Sequence, residues 1–236
     1  MRVSQYWDNI QKQECLPVLI FGTSGISKET YSVLNEINEH YKRTVFDFKG
    51  YVAECEDSVG QAYTGGSIVC SDESFEKYIS QYEKIGVVIP LGTPRIKQKI
   101  YERISGYSNL LFPNIISPTS KAMLGDTIEI GMGNIICSGV IMTTDITIGD
   151  FNLINLNSTV GHDVIIRDFC VVNPLTAISG FAEIQSNVLV GAGVSIKEHT
   201  KVEASSVAGM GAIVCKDVQE GTIVVSGAAH VLEKKK

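Results

Sequence analysis

The sequence has little of what marks a secreted scaffold, a membrane protein or a nucleic-acid binder. Its six cysteines, at positions 15, 55, 70, 137, 170 and 215, show no paired spacing. A disulfide framework and a zinc site are therefore not expected, and a reduced cytoplasmic setting is. Acidic residues outnumber basic ones by 26 to 20, a net charge of −6, which argues against a nucleic-acid partner. No apolar run approaches the roughly 20 residues of a membrane span. The first fourteen residues lack the apolar core of a signal peptide. Histidine is scarce as well: His40, His162, His199 and His230 are the four. The closing Glu-Lys-Lys-Lys reads as a solvated tail.

What the chain does have is a period of six. Every sixth residue from Leu124 through Ile130, Ile136, Met142 and Ile148 to Ala208 and Val214 is apolar, sixteen positions without a break. Helices and flat strands have side-chain periods of 3.6 and 2, so neither produces it. A short fixed repeat means a solenoid, one unit stacked on the next. The residue four further on (Ile128, Asn134, Val140 and so on to Val218) is small or β-branched, and the residue after each apolar position is often glycine, as at Gly125, Gly131, Gly149, Gly161, Gly191 and Gly209. The pattern suits a coil of three short strands and three tight turns, with bulky residues stacked inward and small ones where the chain bends. With about eighteen residues per coil, roughly five coils are expected. Cys170 falls inside the coil, and no long insertion interrupts the period. Chance alternation in a β-sandwich does not sustain sixteen matches.

The first half reads differently. Leu16–Phe21 is an apolar strand, Gly22-Thr-Ser-Gly25 a turn, and about Ser27 to Glu39 a helix with Val33, Leu34 and Ile37 on one face, the opening of a doubly wound α/β unit. Thr44–Phe46 is read as the second strand, ending at Asp47. Ser74–Tyr82 reads as helix, Lys84–Pro90 as strand and Arg95–Ile104 as helix, with Leu110 to about Ser120 leading into the solenoid. The division predicted is 1–112 and 113–236. Ligands of such sheets bind outside the carboxyl ends of the strands, where this reading places Ser24, Gly25, Ile26, Asp47 and Gly92. The Gly22-x-x-Gly25 turn is too short for a dinucleotide fingerprint; it is either a structural turn or a phosphate cradle at a helix N-terminus.

The order of parts, and the stretch Ile154-Asn155-Leu-Asn-Ser-Thr-Val-Gly-His162-Asp163-Val-Ile-Ile, resembles the hexapeptide-repeat sugar acetyltransferases of bacteria, the bacillosamine-pathway N-acetyltransferases and sialic-acid O-acetyltransferases. The resemblance runs from about Val18 to Val225. Gly92-Thr-Pro-Arg95-Ile-Lys-Gln-Lys-Ile-Tyr101 is similar to that family's helix start, and Asp47-Phe-Lys-Gly50 to a segment lining its sugar-nucleotide site. It implies a small Rossmann-like α/β domain followed by a left-handed parallel β-helix, and acetyl-CoA as co-substrate. It further implies a homotrimer with CoA between subunits. On the same resemblance His162 is the general base, Asp163 orients it, and Asn155, placed one coil turn earlier, orients the base or the acceptor. The acetyl-CoA arm would run along backbone near Gly180, Gly191, Ala192, Gly209 and Met210, and the acceptor's nucleotide would use Ser24, Gly25, Ile26, Asp47 and Gly92. Three positions depart from the family: Val171 stands where some members have a second histidine, Ser226-Gly-Ala-Ala-His230 replaces Gly-x-Pro-Ala-Lys, and Phe46 precedes Asp47 where some relatives have an acidic residue.

The chemistry suits these residues. Imidazole changes charge near neutral pH and takes protons there; a neighbouring carboxylate fixes its tautomer and stabilises the imidazolium. Direct transfer of acetyl to an amine or hydroxyl follows, with backbone N–H groups on the oxyanion and no covalent enzyme intermediate. Cys137 and Cys215 fall at turns without a histidine beside them in sequence, a poor basis for thiol catalysis. Lys197, Lys201 and Lys216 are candidates for CoA phosphates or plain solvated lysines. The expected function is N-acetylation of a nucleotide-activated amino sugar for a surface glycan. O-acetylation of a sugar hydroxyl is the alternative, a scaffold without catalysis a remote one. A zinc carbonic anhydrase on the same helix needs three histidine ligands, and the repeat holds only His162 and His199.

Overall fold

The computed structural model describes residues 1–227. Ala228 and His230, part of the Ser226–His230 departure noted above, and the lysine-rich tail lie outside the described residues. The first domain is a mixed sheet of strands β1 (Leu16–Phe21), β2 (Phe46–Ala53), β3 (Ala62–Tyr63), β4 (Gly66–Ser71), β5 (Ile85–Val88) and β6 (Leu110–Leu111) in the order β3-β4-β2-β1-β5-β6. Only the β3–β4 pair is antiparallel. Apolar runs such as Val18–Phe21 are buried on both faces, as a parallel sheet requires. Helices α2 (Gly25–Tyr41), α3 (Phe75–Ile79) and α4 (Pro94–Ile104) connect the strands.

Three details differ from the sequence reading. The second strand starts where the reading ended it. A bulge skips Lys49 between the pairs Val18–Phe48 and Leu19–Gly50, and the strand continues through Asp47-Phe-Lys-Gly50 to Ala53. Gly50 fits only as glycine: φ is +142°, and a Cβ there would lie 2.4 Å from Val69 and 2.7 Å from the Ser67 carbonyl. The second is an additional helix, α1 (Val3–Lys12), which buries Val3, Tyr6 and Ile10. That spacing makes one apolar stripe. Met1 exchanges backbone hydrogen bonds with Ile130 and the Val3 N–H donates to the Ile128 carbonyl, so the N-terminal segment packs on the foot of the solenoid, while Arg43 of the α/β domain donates to the carbonyls of Ile10 and Gln13 at its end. The helix read over Ser74–Tyr82 is shorter, Phe75–Ile79.

From Ile115 the chain winds as a parallel β-helix of two-residue strands, stacked in three sheets of seven, six and five strands. That makes five complete coils of three strands, in line with the repeat count, followed by three further strands at Val207–Ala208, Ile213–Val214 and Ile223–Val224. Partners lie eighteen residues apart, as in Ile136–Ile154 and Ile154–Val172. The first coil is two residues longer (Ile116 pairs with Ile136), because a 3-10 turn at Gly125–Thr127 is inserted. Leu124 matches the period only by virtue of this insertion and is 56% exposed; from Ile130 to Val214 every sixth residue is buried. Burying one such side chain contributes roughly 1.5–3 kcal/mol, and each ladder position adds another. The small inward positions are buried too. Among them an amide ladder crosses the coils: the backbone N–H of Asn134 donates to Asn114 Oδ1, that of Asn152 to Asn134 Oδ1 and that of Cys170 to Asn152 Oδ1, each at 2.8 Å.

The outward residues of the three faces differ in kind. On the first face Ile115, Ile135, Leu153 and Val171 are buried, with α2 packed against the strand Ile115–Ile116. Beside this face Lys97 of α4 donates to the Phe151 carbonyl at 3.0 Å, and Tyr101, Phe112, Phe151 and Phe169 pack together. The second face opens with Lys121 in the first coil and then presents Ile141, Thr159, Ala177, Ser195 and Ile213, uncharged and exposed. The third carries Glu129, Thr147, Ile165, Glu183 and Lys201, a solvated mixture.

Candidate active site

His162 sits at the corner between the second and third faces. Asp163 beside it has φ +58°, a left-handed conformation that aspartate tolerates better than most residues. The turn brings Asp163 Oδ2 to 2.8 Å from His162 Nδ1. The imidazole lies over Gly180, one coil further on. A Cβ at 180 would be 2.6 Å from Cε1, 2.7 Å from Nε2 and 3.0 Å from Nδ1, so only glycine leaves room for the ring. Phe181 closes one side edge-to-face, with ring centroids 5.1 Å apart. Nε2 has no protein partner among the described residues, and the side chain is 56% exposed. The arrangement can do one thing well: hold a neutral imidazole by its Nδ1 hydrogen while Nε2 accepts a proton from outside.

Asn155 occupies the preceding corner, between the first and second faces, and not a position one coil below His162. It is buried, and its Oδ1 accepts from the Leu156 N–H at 2.7 Å. The eighteen-residue register stacks Gly191–Ala192 and Gly209–Met210 on that same corner. Coils approach closely there: a Cβ on Gly191 would meet the Met210 nitrogen at 2.5 Å. Met210 is 76% exposed. The residues singled out in the solenoid thus fall on two edges of the second face, with His162, Asp163 and Gly180 on one and Asn155, Gly191, Ala192, Gly209 and Met210 on the other. One chain alone does not bring them together. Val171 lies buried on the first face, away from both edges.

In the α/β domain Ser24, Gly25, Ile26 and Gly92 gather at the carboxyl ends of β1 and β5. The strand order reverses direction there, β2 lying on one side of β1 and β5 on the other. Gly22 turns with φ +87°, its N–H held by the Val52 carbonyl. The Tyr63 hydroxyl donates to the carbonyls of Thr23 and Ser24 at 2.8 and 3.1 Å, which latches the β3–β4 hairpin onto the turn. A cleft of about 440 Å³ opens beside it, lined by Gly22, Ala53, Glu54, Leu91, Lys99 and Ile100 among others. Asp47 is absent from this gathering. It pairs with Pro17 at the amino end of the sheet and forms an ion pair with Lys49 at 2.5 Å. The residue that β2 delivers to the carboxyl end is Glu54, hidden from the sequence reading by the bulge that lengthens the strand.

Burial raises the thiols of Cys137 and Cys170 to about 12, so neither is a thiolate near neutral pH. Burial pushes the Lys97 ammonium down to about 7; nothing in the sequence marked this lysine as different from its neighbours. Phe181 was also missed, although its position eighteen residues after Asp163 places it in the same turn column. Among the described residues no group of three metal-ligating side chains occurs, and no helix is long and apolar enough to cross a membrane.

No family model matches the chain, and no curated protein does. Solved structures do match. A perosamine N-acetyltransferase from Caulobacter crescentus, a variant with one histidine replaced by asparagine, in complex with CoA and GDP-perosamine, is 20% identical at a TM-score of 0.78 and covers 89% of this chain and 93% of its own. The acetyltransferase domain of PglB from Neisseria gonorrhoeae is 20% identical at 0.78, covering 92% of this chain and 99% of its own. WeeI from Acinetobacter baumannii is 23% identical at 0.76, covering 92% and 100%. The match extends over both parts of the molecule, and the fold shared with these proteins is an N-terminal α/β domain followed by a left-handed parallel β-helix.

Proposed function

We propose that this protein is an acetyl-CoA-dependent N-acetyltransferase acting on a nucleotide-activated amino sugar, in the assembly of a surface glycan. The observation that carries the reading is the His162–Asp163 pair on a regular corner of the β-helix, with Nδ1 engaged and Nε2 free. The fold supports it: one structure of that fold holds CoA and GDP-perosamine. Nε2 of His162 takes a proton from the sugar amine as the amine nitrogen attacks the thioester carbonyl. The Asp163 carboxylate stabilises the imidazolium that forms, and backbone N–H groups stabilise the oxyanion. Collapse of the tetrahedral intermediate breaks the carbon–sulfur bond and releases CoA, whose thiolate recovers the proton from His162.

The acceptor's nucleotide is assigned to the cleft beside Gly22 and to the neighbouring turns of Ser24, Gly25, Ile26 and Gly92, where N–H groups at the start of α2 favour phosphate. The CoA arm is assigned to the second face and its edges, Gly180 on one and Gly191, Ala192, Gly209 and Met210 on the other. A lone exposed imidazole makes no pocket. Beyond Lys121 in the first coil the second face is uncharged from Ile141 to Ile213 and flanked by both sets of residues, which supports a homotrimer in which the Asn155 edge of one chain meets the His162 edge of the next. The boundary between recognition and transfer units is placed at residues 112 and 113. Acetyl-CoA and sugar nucleotides are cytoplasmic metabolites, and the protein is assigned there.

The test is CoA release from acetyl-CoA with nucleotide-linked amino sugars and, separately, a free nonulosonic acid as acceptors. The expected outcome is turnover with an amino sugar nucleotide, lowered about 10²–10⁴-fold in His162→Ala with thermal stability unchanged. Turnover on the free acid alone would move the reading to O-acetylation; a His162→Ala variant as active as wild type would remove His162 from the mechanism.

A further inference from the structure

The turn column that carries Asp163 runs through Asp145, Asp163, Phe181 and His199, eighteen residues apart, with φ between +55° and +60° throughout. Aspartate and histidine are among the residues enriched in this left-handed region, and a bulky phenylalanine is not. Other aromatic residues adopt it at Phe151 and Phe169, but those rings pack with Tyr101 of α4. Phe181 has no such cover and is 46% exposed. Its ring lies between two others, edge-to-face with His162 at 5.1 Å and 86° and stacked on His199 at 4.7 Å and 4°. The local backbone is disfavoured, apolar area is left in water, and the ring still contacts the one imidazole that the proposed reaction uses.

We propose that Phe181 is a positioning residue for His162, held in place by the His199 ring behind it. The inference rests on the reading of His162 as the base. Three constraints then define the imidazole. Asp163 engages Nδ1, Gly180 supplies the floor, and Phe181 blocks rotation on the side that neither of the others guards. Removing the ring leaves the Asp163 hydrogen bond as a hinge about which the imidazole swings, and Nε2 loses its aim. A misplacement of about 1 Å at a reacting group lowers turnover by as much as about 10²-fold.

The variants Phe181→Ala, Phe181→Leu and Phe181→Tyr separate this role from space filling. The expected outcome is a kcat about tenfold lower in the first two, KM for both substrates within about twofold of wild type, and near-complete retention in Phe181→Tyr, which keeps the ring. Wild-type kcat in Phe181→Ala and Phe181→Leu overturns the proposal. So does a loss carried by KM, which makes the ring a wall of the substrate site. A second readout needs no turnover. Carbon-13 relaxation of the His162 ring in the free protein should report an ordered imidazole in wild type and Phe181→Tyr and a loosened one in Phe181→Ala. An equally ordered ring in Phe181→Ala overturns the positioning role. An ordered wild-type ring, loosened in Phe181→Ala, in a protein that transfers no acetyl group sustains the positioning role and defeats the assigned reaction instead.

Discussion

The two halves of this molecule find their neighbours by different rules. In the β-helix a residue's partner is always one coil away, so Ile136, Ile154 and Val172 stack in one ladder. In the α/β domain Leu16 pairs with Phe46 and Val18 with Gly86, offsets set by the connecting helices and by one bulge. A fixed offset makes a rigid column in which a turn repeats its geometry coil after coil, and the assigned base stands on such a turn. Variable offsets make a cleft whose walls come from distant segments. Rigid placement suits proton transfer; assembled walls suit recognition of a large acceptor.

The largest test of this contrast is a core truncation in the column. Ile154→Ala removes a fully buried side chain stacked between two others. The expected loss is about 2–5 kcal/mol, read as a lower urea midpoint at unchanged slope. A loss below about 1 kcal/mol, in the range of simple isosteric swaps, would mean that the coils close over the gap, and the column would not be rigid.

A smaller effect is expected where the halves meet. Lys97 is fully buried, and its single protein hydrogen bond goes to the Phe151 carbonyl. Burial lowers its pKa from 10.5 to about 7. Between those values the unfolded chain holds a proton that the native protein does not, so this group makes stability rise with pH from about 7 to 10.5 and leaves it lowest below 7. Lys97→Met is expected to stabilise the protein by roughly 1–4 kcal/mol, most strongly at acid pH, and to flatten that rise. Denaturation midpoints at pH 6 and pH 9 check it; a variant less stable than wild type at pH 6 would show that the ammonium holds the two halves together.

How far the sequence reveals these features follows from the same contrast. The solenoid is legible because one coil predicts the next, and the His162–Asp163 pair because its members are adjacent. Even there, two inserted residues at the first coil put Leu124 into the count while leaving it exposed. Phe181 becomes visible only when the period is read as eighteen rather than six. In the α/β domain no register exists to extrapolate. Asp47-Phe-Lys-Gly50 carries turn-forming residues, and only the cross-strand packing of Gly50 against Val69 shows that they sit in a strand. Helix α1 had an apolar stripe in plain view at Val3, Tyr6 and Ile10, but the surface it covers is the foot of a solenoid more than a hundred residues away.

The smallest expected effect falls on Asp47, and it separates the two kinds of reading most sharply. The family resemblance places this carboxylate in the acceptor site; the pairing of β2 places it at the opposite end of the sheet, tied to Lys49. An exposed ion pair of this kind contributes about 0–1 kcal/mol. Asp47→Ala is therefore expected to leave KM for the sugar nucleotide within about twofold of wild type and stability within that same small range. Glu54→Ala, at the carboxyl end of the same strand and on the cleft wall, should raise KM more than Asp47→Ala does. Steady-state kinetics on the two variants decide the matter. A KM rise of tenfold or more, about 1.4 kcal/mol, confined to Asp47→Ala would put the acceptor at the amino end of the sheet, and the rule that such sheets bind ligands at their carboxyl ends would fail for this chain.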